Sequence, residues 1–240
     1  MLRDKSRLTL AVALVAATML VAGGVAVASN TGFKINKPLS VVVTTTSQVG
    51  TNWTSIPYFN PYGNGANLCA QLGLASTGGV RGLLLKIDAG TGASLGATCG
   101  TAGAASFTWN QGQGVRIRNQ GVGAPTSAII VGSHNPAASL TVPTPAATGN
   151  VGNFWFALPY HTTAITAADL CASVGLQSVG AARGSVGRLN AATGSFSSAN
   201  CGTAGASSFV LVLGEAVRLR NAFIAAPNSL PPVNFVPAHF

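Results

Sequence analysis

Cys99–Ala104 reads CGTAGA, and Cys201–Ala206 reads CGTAGA again, 102 residues further on. Extending that offset outward lays Val49–Asn119 on Val151–Asn221 without a gap, and 32 of the 71 aligned positions are identical. Unrelated segments of this length share only a handful, so the chain carries an internal duplication. Trp53 falls on Trp155, Pro57-Tyr58 on Pro159-Tyr160, Leu68-Cys69-Ala70 on Leu170-Cys171-Ala172, and Arg116-x-Arg118-Asn119 on Arg218-x-Arg220-Asn221. A period near 100 residues is too long for a solenoid unit, which runs to about 20–50, and has the size of a whole domain. The reading is two tandem domains, residues 29–132 and 133–240, with the boundary near Gly132.

Within one copy the pattern is mostly β. Trp53–Tyr58 and Phe154–Tyr160 are short apolar runs closed by Pro-Tyr and predict buried strands. Val80–Asp88 and Ala182–Asn190 predict strands followed by the glycine-ended turns Ala89–Gly92 and Ala191–Gly194. Further strands lead to Cys99 and Cys201. Phe107–Trp109 and Phe209–Leu213 are expected to form hairpins with Val115–Arg118 and Val217–Arg220. Ser127–Val131 and Asn234–Val236 close the copies. Leu39–Thr46 (LSVVVTTT) is β-prone and predicts an opening strand; its counterpart Pro136–Thr148 is a linker or a weaker version of it. One short helix per copy is expected. In the second copy Thr166 is the N-cap, with Asp169 three residues on. Leu170, Cys171 and Val174 share a face, and Gly175 is the stop. In the first copy Asn64 or Gly65 starts the helix, Leu68, Cys69 and Leu72 form the face, and Gly73 ends it. The expected fold is mainly β: two tandem β-sandwich or barrel-like domains of about 100 residues, each with one short helix and one disulfide.

The first 28 residues read as a signal peptide. Arg3, Lys5 and Arg7 precede the uncharged, mostly apolar Leu8–Ala28, and Ala26-Val27-Ala28 gives a small-x-small cleavage pattern before Ser29. An uncleaved anchor is the alternative, since such a run is long enough to span a bilayer. Export puts the chain where disulfides persist. Each copy has two cysteines 30 residues apart, so the pairs Cys69–Cys99 and Cys171–Cys201 are expected. Metal ligation is the alternative; no C-x-x-C occurs and no histidine recurs at ligand spacing. The location that follows is secreted or cell-surface, with the periplasm as a further option.

Beyond residue 28 there are ten Lys or Arg and three acids, Asp88, Asp169 and Glu215. The acids face Asn190, Asn67 and Gln113 in the repeat alignment, so neither copy keeps a carboxylate of the other. A glycosidase generally needs a carboxylate pair, and a Ser-His-Asp triad needs its members together. His134, His161 and His239 mark no activated serine, and no G-x-S-x-G, H-E-x-x-H or phosphate loop occurs. No catalytic residue, metal ligand or cofactor is therefore assigned, and an unrecognised hydrolase is the third-ranked function.

Eight of the ten basic residues recur in both copies: Arg81/Arg183, Lys86/Arg188, Arg116/Arg218 and Arg118/Arg220. Arg116 and Arg118 are two apart on a predicted strand and share a face. One reading is a solvated strand face that keeps a weakly charged protein soluble. The other is a basic stripe that grips an anionic polymer such as acidic polysaccharide. Trp53, Trp155, Tyr58 and Tyr160 are read as core rather than as a stacking platform for nucleic acid.

At Trp53–Tyr58 (WTSIPY), Ala66–Leu74 (ANLCAQLGL), Asp88–Gly92 (DAGTG) and Gly112–Arg118 (GQGVRIR), the chain resembles a repeated β-rich domain of secreted and surface proteins from environmental bacteria. The elements recur at Trp155–Tyr160, Ala168–Leu176, Asn190–Gly194 and Gly214–Arg220. The resemblance covers nearly all of the chain after residue 28, and its motifs are turns and core; it implies no catalytic residues. The expected function is a non-enzymatic surface or extracellular-matrix protein, structural or adhesive, whose partner is itself through edge strands. The alternative is a binding module for an anionic polymer. The membrane enters only through the leader, if uncleaved.

Overall fold

The computed structural model describes residues 32–42, 49–133, 135, 137–146, 149–223 and 230–237. The expected leader and its cleavage site, residues 43–48, His134 and His239 lie outside them. Lys34–Phe240 form one compact unit. Its first repeat runs β1 (Phe33–Pro38), β2 (Thr51–Thr54), α1 (Gly65–Gln71), β3 (Leu83–Ile87), β4 (Ser94–Thr98), α2 (Ala102–Ser106), β5 (Val115–Arg118) and β6 (Ser127–Gly132). The second runs β7 (Leu140–Val142), β8 (Phe154–Ala157), α3 (Ala167–Val174), β9 (Ser185–Leu189), β10 (Phe196–Asn200), α4 (Ala204–Ser208), β11 (Ala216–Arg220) and β12 (Val233–Phe235). Each repeat has a four-stranded sheet, β2-β5-β3-β4 or β8-β11-β9-β10, and a two-stranded one, β1-β6 or β7-β12. The fold is mainly β, with six strands and one disulfide per repeat among the described residues.

The period-2 alternation of the central strand decides which face is core. Val115 and Ile117 of β5 are fully buried, while Arg116 and Arg118 between them are half-buried on the opposite face. β11 repeats this with Val217 and Leu219 inward and Arg218 and Arg220 outward. The apolar face of α1 (Leu68, Cys69) joins Leu84, Val115 and Ile117 in the first core. Leu170, Cys171 and Val174 of α3 join Val186, Val217 and Leu219 in the second. Full burial of each such aliphatic side chain contributes about 1.5–3 kcal/mol.

The longer helices start and stop where local chemistry requires. Thr166 and Asp169 form a reciprocal capping box, and Gly175 ends α3 with φ +80°. In α1 the Asn64 side chain accepts from Asn67 N–H, and Gly73 follows the C-cap with φ +66°.

Three expectations are corrected. Among the described residues each repeat has two helices, not one: CGTAGA is a turn that runs into a five-residue helix, α2 or α4. Phe107–Trp109 and Phe209–Leu213 are not hairpin strands; β5 pairs with β2 and β3, and β11 with β8 and β9. The carbonyls of Phe107 and Phe209 instead accept from Gly65 and Ala167 N–H at the starts of α1 and α3. Those helix-terminal donors lack an intrahelical partner, which holds the segment off the sheet. The described part of Leu39–Thr46 carries no strand; β1 precedes it and opens the repeat.

Candidate functional site

The two cysteine pairs are bonded, Cys69–Cys99 at 2.03 Å and Cys171–Cys201 at 2.01 Å, each tying the longer helix to the turn before the shorter one. That turn explains the repeated CG. Gly100 has φ +75°, and a Cβ there would collide with Ser76 O; Gly202 has φ +70° and the same conflict with Ser178 O. Thr101 and Thr203 hydroxyls then donate to Thr98 O and Asn200 O, both at 2.7 Å.

Seven of the eight repeated cations separate into groups by the surroundings of their side chains, and the eighth, Arg118, is half-buried on β5 beside Arg116. Arg183 donates to Gly180 O (3.0 Å), Ser178 O (2.8 Å), Cys201 O (3.2 Å) and Gly202 O (2.7 Å). Arg81 does the same work with Gly78 O (2.9 Å) and Gly100 O (3.4 Å). Lys86 donates to Thr108 O at 2.6 Å and lies over the Phe107 ring; Arg188 donates to Val210 O at 3.3 Å and lies over Phe209. These two pin the irregular segment that follows α2 and α4. Arg220 donates to Ala146 O. Arg116 and Arg218 differ. Arg218 lies 4.2 Å over the Phe196 ring. The Nε atoms of Arg116 and Arg218 are buried without a hydrogen-bond partner, as is that of Arg220, whose Nη2 nevertheless reaches Ala146 O; no main-chain acceptor within hydrogen-bond distance of Arg116 or Arg218 occurs among the described residues. Burial, and then the neighbouring Arg118 or Arg220, lowers both guanidinium pKa values from the ordinary arginine value.

The acids hold structure too, and each has a neutral counterpart in the other repeat. Asp88 accepts from Thr91 N–H (2.8 Å) and hydroxyl (2.9 Å), which hold its carboxyl below the usual range. Asn190 accepts from Ala192 and Thr193 N–H in the matching turn. Asp169 closes the α3 capping box, where Thr166 N–H and hydroxyl lower its pKa; its counterpart Asn67 ties α1 back to Tyr62 O. Glu215 pairs with Lys37 at 3.7 Å, the one salt bridge among the described residues. Burial pushes the Lys37 ammonium pKa down and Glu215 opposes it. Opposite Glu215, Gln113 donates to Ile87 O and accepts from Asn110 N–H.

Between the repeats lies a seam with an approximate two-fold relation. Trp53 and Trp155 are 5% and 6% exposed and stack face to face, ring centroids 3.5 Å apart and 1° from parallel. Around them many of the contacts across the seam recur at the 102-residue offset, while Gly114 N–H to Trp155 O and Ser55 Oγ to Glu215 O occur on one side alone among the described residues. Tyr58 Oη donates to Ala157 O (3.1 Å) and Tyr160 Oη to Ser55 O (2.7 Å). Ser55 N–H donates to Gly214 O (3.1 Å), Ala157 N–H to Gly112 O (2.8 Å), Gly50 N–H to Ala191 O and Gly152 N–H to Ala89 O, the last two at 2.8 Å. Thr54 bridges Glu215 and Phe156 bridges Gln113. Ala216, Ile87 and Leu189 complete the apolar patch around the indoles. A cleft of about 300 Å³ opens beside the stack, lined in part by Lys37, Asn52, Trp53, Arg188 and Glu215.

Reading the tryptophans as core missed this seam. The register was the available signal: Trp53 pairs with Arg116 and Trp155 with Arg218, so the indoles lie on the arginine face, not on the face of Val115 and Val217. Lys37 was also missed, because its partner lies in the other repeat. Among the described residues no cluster of three or more His, Cys, Asp or Glu could hold a metal, and no helix is long and apolar enough to cross a membrane. His161 lies within the described residues. No family model, curated protein or solved structure matches the chain.

Proposed function

We propose that this is an exported, non-enzymatic protein of the cell surface or extracellular matrix, structural or adhesive in role. One observation carries the reading. Every Asp and Glu side chain beyond residue 28 sits in a turn, a cap or an ion pair, and the matching residue of the other repeat is an amide making hydrogen bonds of its own. A reaction that needs an ionised acid does not tolerate that exchange, whereas a scaffold does. The recurring cations follow the same logic, with Arg81, Lys86, Arg183, Arg188 and Arg220 donating to main-chain carbonyls. Two disulfides suit a chain that folds in an oxidising compartment. Expression of the whole chain in a secreting bacterium tests this. The expected product starts at Ser29 and is recovered in the surface or matrix fraction. A product starting at Met1 and held in the cytoplasm overturns it.

A second reading draws on Arg116 and Arg218, half-buried cations with no carboxylate within salt-bridge distance among the described residues. They would meet an anionic polymer such as an acidic polysaccharide. Retention on a polyanion that falls with salt, and falls again in Arg116→Gln/Arg218→Gln, supports it; binding that ignores both counts against it.

A further inference from the structure

The four-stranded sheets end in β4 and β10, which lie at the outer edge of the first and second repeat. Among the described residues, the main-chain groups that these two strands leave unpaired follow from the register. Asp88 N–H donates to Ala93 O and Cys99 N–H to Gly82 O. Because hydrogen-bonded and non-bonded pairs alternate in an antiparallel ladder, Leu95 and Ala97 face β3, and the N–H and C=O of Ser94 and Gly96 point away from it. In the second repeat Asn190 N–H donates to Ser195 O and Cys201 N–H to Gly184 O, which turns the groups of Phe196 and Ser198 outward. Ser94, Leu95 and Gly96 are exposed, as are Phe196, Ser197 and Ser198.

Natural edge strands are protected by lysine, proline, bulges or a covering element. The sequences here are SLGAT and FSSAN, without a charge or a proline. Leu95 is 47% exposed and Phe196 43%. The edge strands themselves carry no charge, while Lys86 and Arg188 sit opposite Leu95 and Ser197 on the next strand and Arg218 lies over the Phe196 ring, so nothing on the edge strand itself blocks a second copy and the neighbouring cations make its approach depend on salt. At the inner edges of the same sheets, Thr54 of β2 and Phe156 of β8 each make a single antiparallel bridge to the other repeat, to Glu215 and Gln113, about an approximate two-fold; main-chain pairing between copies of this unit thus already occurs within the chain.

We propose that β4 and β10 are self-association edges, and that copies of this chain add to one another through them into open-ended strings. A strand pairing antiparallel with its own counterpart is self-complementary, and such a contact alone closes at a dimer. Two edges on one molecule remove that limit, because a copy joined through β4 still offers β10. The proposal rests on the structural reading above and names its partner, a second copy. The ladders are only five residues long, so assembly depends on concentration, and added salt promotes it by screening the positive charge.

The test uses the protein secreted from cells expressing all 240 residues, followed by sedimentation velocity and negative-stain electron microscopy. The wild type is expected to give concentration-dependent species larger than dimers. Ser94→Lys and Ser198→Lys each block one edge and are expected to stop assembly at dimers. The double variant is expected to be monomeric with an unchanged melting temperature. As a second block, Ser94→Pro with Ser198→Pro removes one outward N–H at each edge and should act alike. A wild type that stays monomeric at millimolar concentration overturns the proposal. So does a double variant that assembles like the wild type; in that case recovery in the surface fraction still supports the structural reading while the edges are excluded.

Discussion

Trp53 and Trp155 lie in parallel planes with centroids 3.5 Å apart, and each holds the same place in its own repeat. A residue that meets its own counterpart marks the axis of a symmetric dimer. Here that dimer is internal, made by two halves of one chain. Its periphery is fixed by Tyr58 and Tyr160, whose hydroxyls cross the seam to carbonyls of the opposite repeat. Symmetry at the centre places the two free sheet edges in equivalent positions of the two repeats.

Each disulfide closes a loop within its own repeat, so opening either one should act locally. Cys69→Ser/Cys99→Ser is expected to lower stability by about 3–4 kcal/mol on the chain-entropy model for a loop of this length. Urea unfolding checks the magnitude. Peptide mapping without reductant checks the pairing, and any peptide linking the two repeats would contradict it.

The seam tyrosines predict alkaline instability. Burial raises the pKa of both Tyr58 and Tyr160 above the ordinary value near 10. The folded state therefore keeps protons that the unfolded state releases, and stability present below about pH 10 is lost as pH rises past it. At pH 7 Tyr58→Phe and Tyr160→Phe should each cost about 1 kcal/mol, since a carbonyl loses its donor. Above pH 10 the gap to wild type should narrow. Urea titrations at the two pH values measure it.

How far the fold was legible depends on how local its determinants were. α3 shows in the sequence because Thr166, Asp169 and Gly175 act on their own turns. Arg116 and Arg118 were placed on one strand face by period 2 alone. α2 and α4 were not legible, because five residues give no periodicity to read. The segment after them contains Phe107 and resembles a strand, but its carbonyl is taken by Gly65 N–H, over 40 residues earlier in the chain. The stripe was legible as a pattern and not as a use, because the acceptors of Arg183 and Lys86 are main-chain carbonyls of irregular segments, which leave no mark in composition. The seam depends on contacts across 102 residues, and only the register shows it.

Two glycines with similar backbone angles should respond differently to alanine. Gly78 has φ +84° with nothing within 4 Å of an added Cβ, whereas Gly100 at φ +75° would press on Ser76 O. Gly78→Ala should cost about 1 kcal/mol from its left-handed backbone alone. Gly100→Ala should cost about 3 kcal/mol or more, as the turn has to shift. Thermal unfolding of the two variants gives the comparison.

Arg183 should matter more to stability than Arg116. Arg183→Gln removes a cation serving four carbonyls and should cost about 1–2 kcal/mol. Arg116→Gln removes a desolvated charge and should be close to neutral. Equal losses in urea unfolding would contradict a structural role confined to Arg183.

The internal dimer is tested most directly by a double-mutant cycle on Trp53→Ala and Trp155→Ala, read by urea unfolding. A stacked pair at the seam predicts one cooperative transition and a favourable coupling of about 0.5–1.5 kcal/mol. Additive losses, with the two repeats unfolding in separate transitions, would contradict it.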